Sequence, residues 1–141
     1  LILADVNVLI YAFRSDVERH SEHKSWLEDV LNGPAAYGVS PQVLASLVRI
    51  CTHRRIFPRP SKASDAFEFC RLLLEQPNAT VIVPGERHWE IFADLCRECR
   101  VTGNLVQDAW FAALAIEAGC EWITTDRDYA RFPGLVSRAP F

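Results

Sequence analysis

The amino-acid sequence predicts an α/β fold, a parallel β-sheet sandwiched between α-helices. Three observations carry this prediction. Short apolar, β-compatible runs recur along the chain, helical periods fill the intervals between them, and no repeat, linker or low-complexity tract interrupts the alternation. At 141 residues and 16.0 kDa there is enough chain for one core and not two, so residues 1–141 are expected to form a single domain.

The predicted strands, in order, are Leu1–Ala4, Ala35–Val39, Thr80–Val83 and Glu121–Thr125, with a weaker one at Leu135–Ser137. Val43, Leu44, Leu47, Val48 and Cys51 share one helical face behind Pro41, whose fixed φ suits a first turn. Trp89, Phe92, Ala93, Cys96 and Cys99 form a second stripe. Leu105, Ala109, Ala112, Ala113 and Ile116 form a third, stopped by Gly119. The alanines of this last helix allow close packing, which carries Asp108 toward the sheet edge. Phe57-Pro58-Arg59-Pro60 is too short to separate domains and is a loop.

Composition narrows the function. Half of the residues are hydrophobic and 23% are charged, which excludes disorder and fibrous classes, and no apolar run is long enough for a membrane helix. The net charge of −3 and pI near 5.8 exclude a protein that grips nucleic acid over its whole surface, while leaving room for a local basic patch. Five cysteines, an odd set in a chain that needs no staples, indicate reduced thiols and a cytoplasmic location. Cys96 and Cys99 form a CxxC inside a helical period with no second pair to complete a zinc site, so core packing is expected of them. The four histidines are expected to be structural or superficial. Nucleotide-binding glycine loops and a GxSxG elbow are both lacking.

Carboxylates carry the chemistry. Asp5 follows the first predicted strand directly, Asp126 and Asp128 follow the fourth, and Asp108 begins the alanine-rich helix. In parallel sheets sites form beyond the carboxyl ends of the strands, so Asp5 and Asp126 share a rim. Each alone could be a cap or a turn residue. Together they would repel one another unless a cation joined them, and an all-oxygen set without His or Cys suits Mg2+ or Mn2+. Such a cluster matches phosphodiester hydrolysis. A haloacid-dehalogenase-like phosphatase also opens on a strand and an Asp, but Asn7 stands in the third place of its DxD pattern. Thirteen of the 15 basic residues are arginine. His53, Arg54, Arg55, Arg59 and Lys62 gather after the 43–51 helix, either to grip phosphate or simply to complement the helix dipole.

Three segments, in order, resemble the PIN-domain endoribonucleases, specifically the VapC toxins of toxin–antitoxin pairs. Ala4-Asp5-Val6-Asn7-Val8-Leu9-Ile10-Tyr11 is similar to the family's opening motif. Gly103-Asn104-Leu105-Val106-Gln107-Asp108-Ala109, running on through Ala112-Ala113-Leu114-Ala115, is similar to its central Asp helix. Thr124-Thr125-Asp126-Arg127-Asp128-Tyr129 with Phe132-Pro133 is similar to its closing motif. The resemblance implies a homodimer that cleaves cellular RNA with a divalent metal and is neutralised by a VapB-type antitoxin. It implies that Asp5, Asp108 and Asp126 hold the metal with Asp128 supporting, that Asn7 orients Asp5, and that Thr125 places a water or phosphate. Arg49, Arg54 and Arg55 become candidate RNA contacts. Ser46 stands where many members carry Glu, three residues before Arg49. A catalytically weak PIN module that only binds RNA or antitoxin is therefore the alternative.

Overall fold

The computed structural model describes all residues, Leu1–Phe141. The elements run β1 (Ile2–Ala4), α1 (Val6–Phe13), α2 (His20–Asn32), β2 (Tyr37–Val39), α3 (Pro41–Cys51), α4 (Ala63–Glu75), β3 (Ala79–Val81), α5 (His88–Cys99), α6 (Asn104–Ala118), β4 (Glu121–Ile123), a 3-10 turn (Arg127–Arg131) and β5 (Ser137–Arg138). All strand pairs are parallel, in the order β3-β2-β1-β4-β5. From β1 the chain moves outward through β2 and β3, then returns to the other side of β1 for β4 and β5. Crossovers that leave β1 in opposite directions, with the right hand usual for parallel connections, are the arrangement that covers both faces of a sheet with helices. The reversal lies between β1 and β4, where Ile2, Leu3 and Ala4 register with Glu121, Trp122 and Ile123.

Local chemistry sets the element ends. Ser40 caps α3, its hydroxyl accepting from Val43 N at 3.3 Å, and Pro41 follows in the first turn. The α6 helix stops at Gly119, whose φ of 67° is open to a residue without Cβ; Cys120 N then donates to Ala115 O at 2.9 Å. Tyr37 Oη donates to Leu73 O at 2.6 Å, satisfying a carbonyl in the last turn of α4 that the helix itself leaves unpaired. Beneath the sheet rim, Trp122 is wholly buried, stacked 5.7 Å from Phe111 and tilted against Tyr129 at 5.3 Å. Ala109, Ala112, Ala113 and Ala115 are all fully buried, which confirms the close approach their size allows.

Two expectations need correction. The strands are shorter than the apolar runs: β2 begins at Tyr37, β3 spans Ala79–Val81, β4 ends at Ile123 and β5 occupies Ser137–Arg138. Beyond Ile123 the Thr124 hydroxyl turns to Asp5 and Asp126, so side-chain bonds replace the strand. The inner face of α5 is also rotated from the expected stripe. His88 and Leu95 are buried, Cys96 and Cys99 half-buried, while Ala93 is exposed and Trp89 is 70% exposed. The shift is less than one residue of rotation, since Phe92, Cys96 and Cys99 still pack against the core, and the His88 ring pairs with Trp110 O at 3.0 Å. All five cysteines are free thiols, and no helix is long and apolar enough to cross a membrane.

Because Tyr37 is buried and its hydroxyl serves a helix end, Tyr37→Phe should destabilise the domain by about 1 kcal/mol. Urea denaturation should show a lower midpoint at an unchanged slope.

Candidate active site

Asp5 stands at the switch between β1 and α1. Its backbone N–H donates to Ile123 O at 2.9 Å, extending the β1–β4 ladder by one bond. As the α1 cap it turns its carboxylate back, taking Val6 N at 2.7 Å on Oδ1 and the Thr124 hydroxyl at 2.6 Å on Oδ2. Thr124 Oγ1 in turn accepts from Asp126 N at 3.0 Å, and Asp126 Oδ1 accepts from Asp128 N at 2.8 Å as cap of the 3-10 turn. That turn places Tyr129 inward, 2% exposed, with its hydroxyl donating to Asp108 Oδ1 at 3.3 Å. Four elements thus bring Asp5, Asp108 and Asp126 to one cleft, with Asn7, Ser46, Arg49, Gln107 and Tyr129 also in its walls. The cleft measures about 160 Å³, enough to admit water.

The electrostatics follow from this geometry. Burial pushes the Asp5 carboxyl up to about 6; the bonds from Thr124 and Val6 work against that rise, and the charges of Asp108 and Asp126 add to it. Asp108 is raised for the same first reason, then by Asp126 and Asp128, with the Tyr129 bond opposing. The Tyr129 phenol, raised by burial and by these carboxylates, stays protonated and remains a donor.

The donors in the walls are all oxygens apart from the side-chain amides and Arg49; neither His nor Cys lines the cleft. Repelling, partly buried carboxylates are relieved by a cation, and oxygen donors suit Mg2+ or Mn2+. No three of the His, Cys, Asp or Glu residues close into a metal-holding group. The residues therefore fit an ion that keeps several waters and takes one or two carboxylates directly, as Mg2+ does, and they do not fit a rigid all-protein cage.

The other expected site residues divide. Ser46 and Arg49 line the cleft, one turn apart on α3. Asn7 lines it too but does not orient Asp5; that work falls to Val6 N and Thr124. Thr125 is exposed and faces a neighbouring groove, because the strand's last inward hydroxyl belongs to Thr124. Asp128 is exposed at the rim, turned outward to Arg131 at 3.3 Å by the 3-10 geometry. Arg54 and Arg55 are exposed on the turn after α3 and are not among the cleft walls. Thr124 and Tyr129 are the positioning residues that sequence reasoning did not single out. Their signal was present as a Thr pair and an aromatic beside the acidic motif.

A parallel sheet with carboxylates gathered at its switch point defines a nuclease-like α/β domain, and comparison with known proteins gives the family. The PIN domain family model matches residues 2–135. The chain belongs to the PIN-domain family, among the VapC ribonucleases. It is 39% identical over 140 residues to VapC ribonuclease Mb2897 of Mycobacterium bovis, covering 99% of this chain and 95% of that one. It is also 39% identical over 135 residues to ribonuclease VapC25 of Mycobacterium tuberculosis, covering 96% and 95%. The fold is shared with VapBC2 from Rickettsia felis bound to a promoter DNA fragment, at TM-score 0.72 and 18% identity over 98% of this chain and 97% of that chain. It is likewise shared with M. tuberculosis VapC20, described as a sarcin-ricin loop cleaving toxin, at TM-score 0.68 and 16% identity over 96% and 98%.

The raised Asp5 carboxyl has a measurable consequence for stability. Between pH about 4 and about 6 the folded state holds a proton that the unfolded chain has released, so stability is lost as pH rises through that window. A shift of this size corresponds to about 2–3 kcal/mol. In metal-free buffer Asp5→Asn should therefore be more stable than the parent at pH 7.5, and the gap should close as pH falls toward about 4. Urea midpoints measured across that range check it, and a gap independent of pH contradicts it.

Proposed function

We propose that this protein is a divalent-metal-dependent endoribonuclease toxin that hydrolyses phosphodiester bonds of cellular RNA and is neutralised by a VapB-type antitoxin. The observation that carries this is the convergence of Asp5, Asp108 and Asp126 on one cleft beneath Arg49. Its support from relatives is the naming of those at 39% identity as VapC ribonucleases, together with the toxin–antitoxin complexes that share the fold. One fold neighbour is described as a toxin that cleaves the sarcin-ricin loop.

Asp5, Asp108 and Asp126 would hold Mg2+ or Mn2+, which supplies Lewis-acid charge for an in-line displacement at phosphorus. The protein's own contribution is preorganisation. Asp5 is held by two short bonds and is 4% exposed, so its carboxylate needs no reorientation when substrate arrives. Tyr129 gives Asp108 one longer bond, at 3.3 Å, and the Thr124 hydroxyl couples Asp5 to the Asp126 backbone. Arg49 gives a phosphate oxygen a charged donor at the cleft wall, while Asp128 contributes negative charge from the rim. Arg54 and Arg55, further out, would contact RNA beyond the scissile group. We place the protein in the cytoplasm as a homodimer. Phe67 and Trp89, 61% and 70% exposed, are the large aromatics a partner copy would cover, and Trp26 and Phe69 are already half-buried.

Ser46 favours a second reading, a PIN module that binds RNA or antitoxin with weak catalysis. It adds only a neutral oxygen to the cleft, and the carboxylates do not form a closed group.

Purified protein incubated with total RNA and Mg2+ or Mn2+ separates these readings. Cleavage should appear with metal and stop on adding EDTA. Asp5→Asn and Asp108→Asn should each lower it by about 10²-fold or more while the fold persists; parent-like rates in both would overturn the site assignment. With few charged ligands the parent should need a high metal concentration and prefer Mn2+. Ser46→Glu should lower the metal concentration for half-maximal cleavage, and an unchanged metal titration would remove Ser46 from the site.

A further inference from the structure

A second depression adjoins the acidic cleft and shares Asp126 with it. It measures about 420 Å³ and runs between the 3-10 turn, β5 and the start of α2. Arginines from all three elements line it: Arg127, Arg138 and Arg19. Arg138 is paired with Glu121 at 2.8 Å, and Arg19 with Glu22 at 2.6 Å while lying over the Phe141 ring. Arg127 forms no ion pair and no side-chain hydrogen bond, and it is exposed. The groove also presents the hydroxyls of Thr125 and Ser137.

We infer that this groove binds the phosphodiester backbone of single-stranded RNA on one side of the scissile phosphate, with Arg127 as its principal cation. The inference rests on the nuclease reading above and extends it to the path of the substrate. The two depressions share Asp126 as a wall, so a strand whose phosphate sits over Asp5 and Asp108 has the groove as its immediate neighbour. The lining argues for a backbone rather than bases or a protein segment. Its only two apolar members are Ala130 and Ala139, which supply neither an aromatic platform for stacking a base nor a pocket for an apolar anchor. Guanidinium groups and hydroxyls match phosphate oxygens and ribose hydroxyls, contacts that position a strand without reading its sequence. An unpaired arginine needs no partner to be displaced before it can take a phosphate. Arg127 also sits one residue beyond Asp126, so a phosphate held there is held next to the cleft. The net charge of −3 is no obstacle, since the basic surface is local.

The test measures binding apart from cleavage. Parent protein in EDTA is titrated against fluorescein-labelled single-stranded oligoribonucleotides, one of uridine and one of mixed sequence, at several salt concentrations by anisotropy. Arg127→Ala should weaken binding of both by a similar factor of about 5–10 and reduce the slope of log affinity against log salt by about 0.7. Arg127→Lys should retain the parent slope. With Mn2+ present, Arg127→Ala should raise KM and leave kcat within twofold. Affinity and slope unchanged in Arg127→Ala would overturn the inference, as would a parent that binds neither oligonucleotide. If the parent binds through Arg127 yet never cleaves with Mg2+ or Mn2+, the groove stands and the nuclease reading falls. If cleavage is robust and Arg127→Ala leaves KM unmoved, the groove falls and the nuclease reading stands.

Discussion

The parallel pairing of β1 with β4 is the constraint on which the site depends. It joins residues near the two ends of the chain: Glu121 N donates to Leu1 O at 2.8 Å, Asp5 N to Ile123 O at 2.9 Å, and the Thr124 hydroxyl to Asp5 Oδ2 at 2.6 Å. Closing so long a loop costs conformational entropy, though the cost grows only slowly with length. It is offset by what the pairing buries, chiefly Leu3, Trp122 and Ile123, all at 0% exposure. Asp5 and Asp126 become neighbours only once this ladder exists, so the acidic cleft is a property of the folded sheet and of no shorter segment.

Core and site share residues. Tyr129 packs against Trp122 and Phe132 through its ring while its hydroxyl fixes Asp108, so the same side chain fills the interior and orients a carboxylate. Asp5 is similar: it caps α1 and extends the β1–β4 ladder, yet it is a carboxylate kept 4% exposed near two others. Burying that charge is unfavourable, as its raised pKa records, and two hydrogen bonds offset only some of the cost. A domain optimised for stability alone would not retain three carboxylates here.

Charge is distributed in space rather than by composition. The acidic cleft and the arginine-lined groove meet at Asp126, and Arg49 stands on the cleft's other wall. Opposite local potentials side by side suit a polyanion whose scissile group must approach carboxylates, because cations on the flanks offset the repulsion on the way in. Neither the net charge nor the pI registers this arrangement.

Much of this was legible in the sequence. The order of the strands, the helices α3, α5 and α6, the α6 stop at Gly119, the close-packed alanines and the placement of Asp5 and Asp126 beyond strand ends all follow from local rules: periodicity, caps and the alternation that forces a parallel sheet; α2 and α4 were not among the stripes the sequence displayed. Ser46, which the family resemblance aligns with an expected Glu, lines the cleft together with Arg49. What local rules could not decide were matters of a single residue's rotation. Thr124 and Thr125 are chemically identical, and only the end of the β4 ladder settles which hydroxyl points at Asp5. The buried face of α5 is centred on His88 and Leu95 rather than Trp89 and Ala93, and His88 meets the Trp110 carbonyl on a neighbouring helix. Asp128 shares a motif with Asp126 but is turned away by one 3-10 turn. Sequence by itself determined the alternating class of the fold, the helices with a clear apolar stripe and which residue types reach the rim, since these depend on neighbours along the chain. Tertiary structure decided which side chains meet, since a hydrogen bond between residues 119 apart exists only when the sheet has set their register.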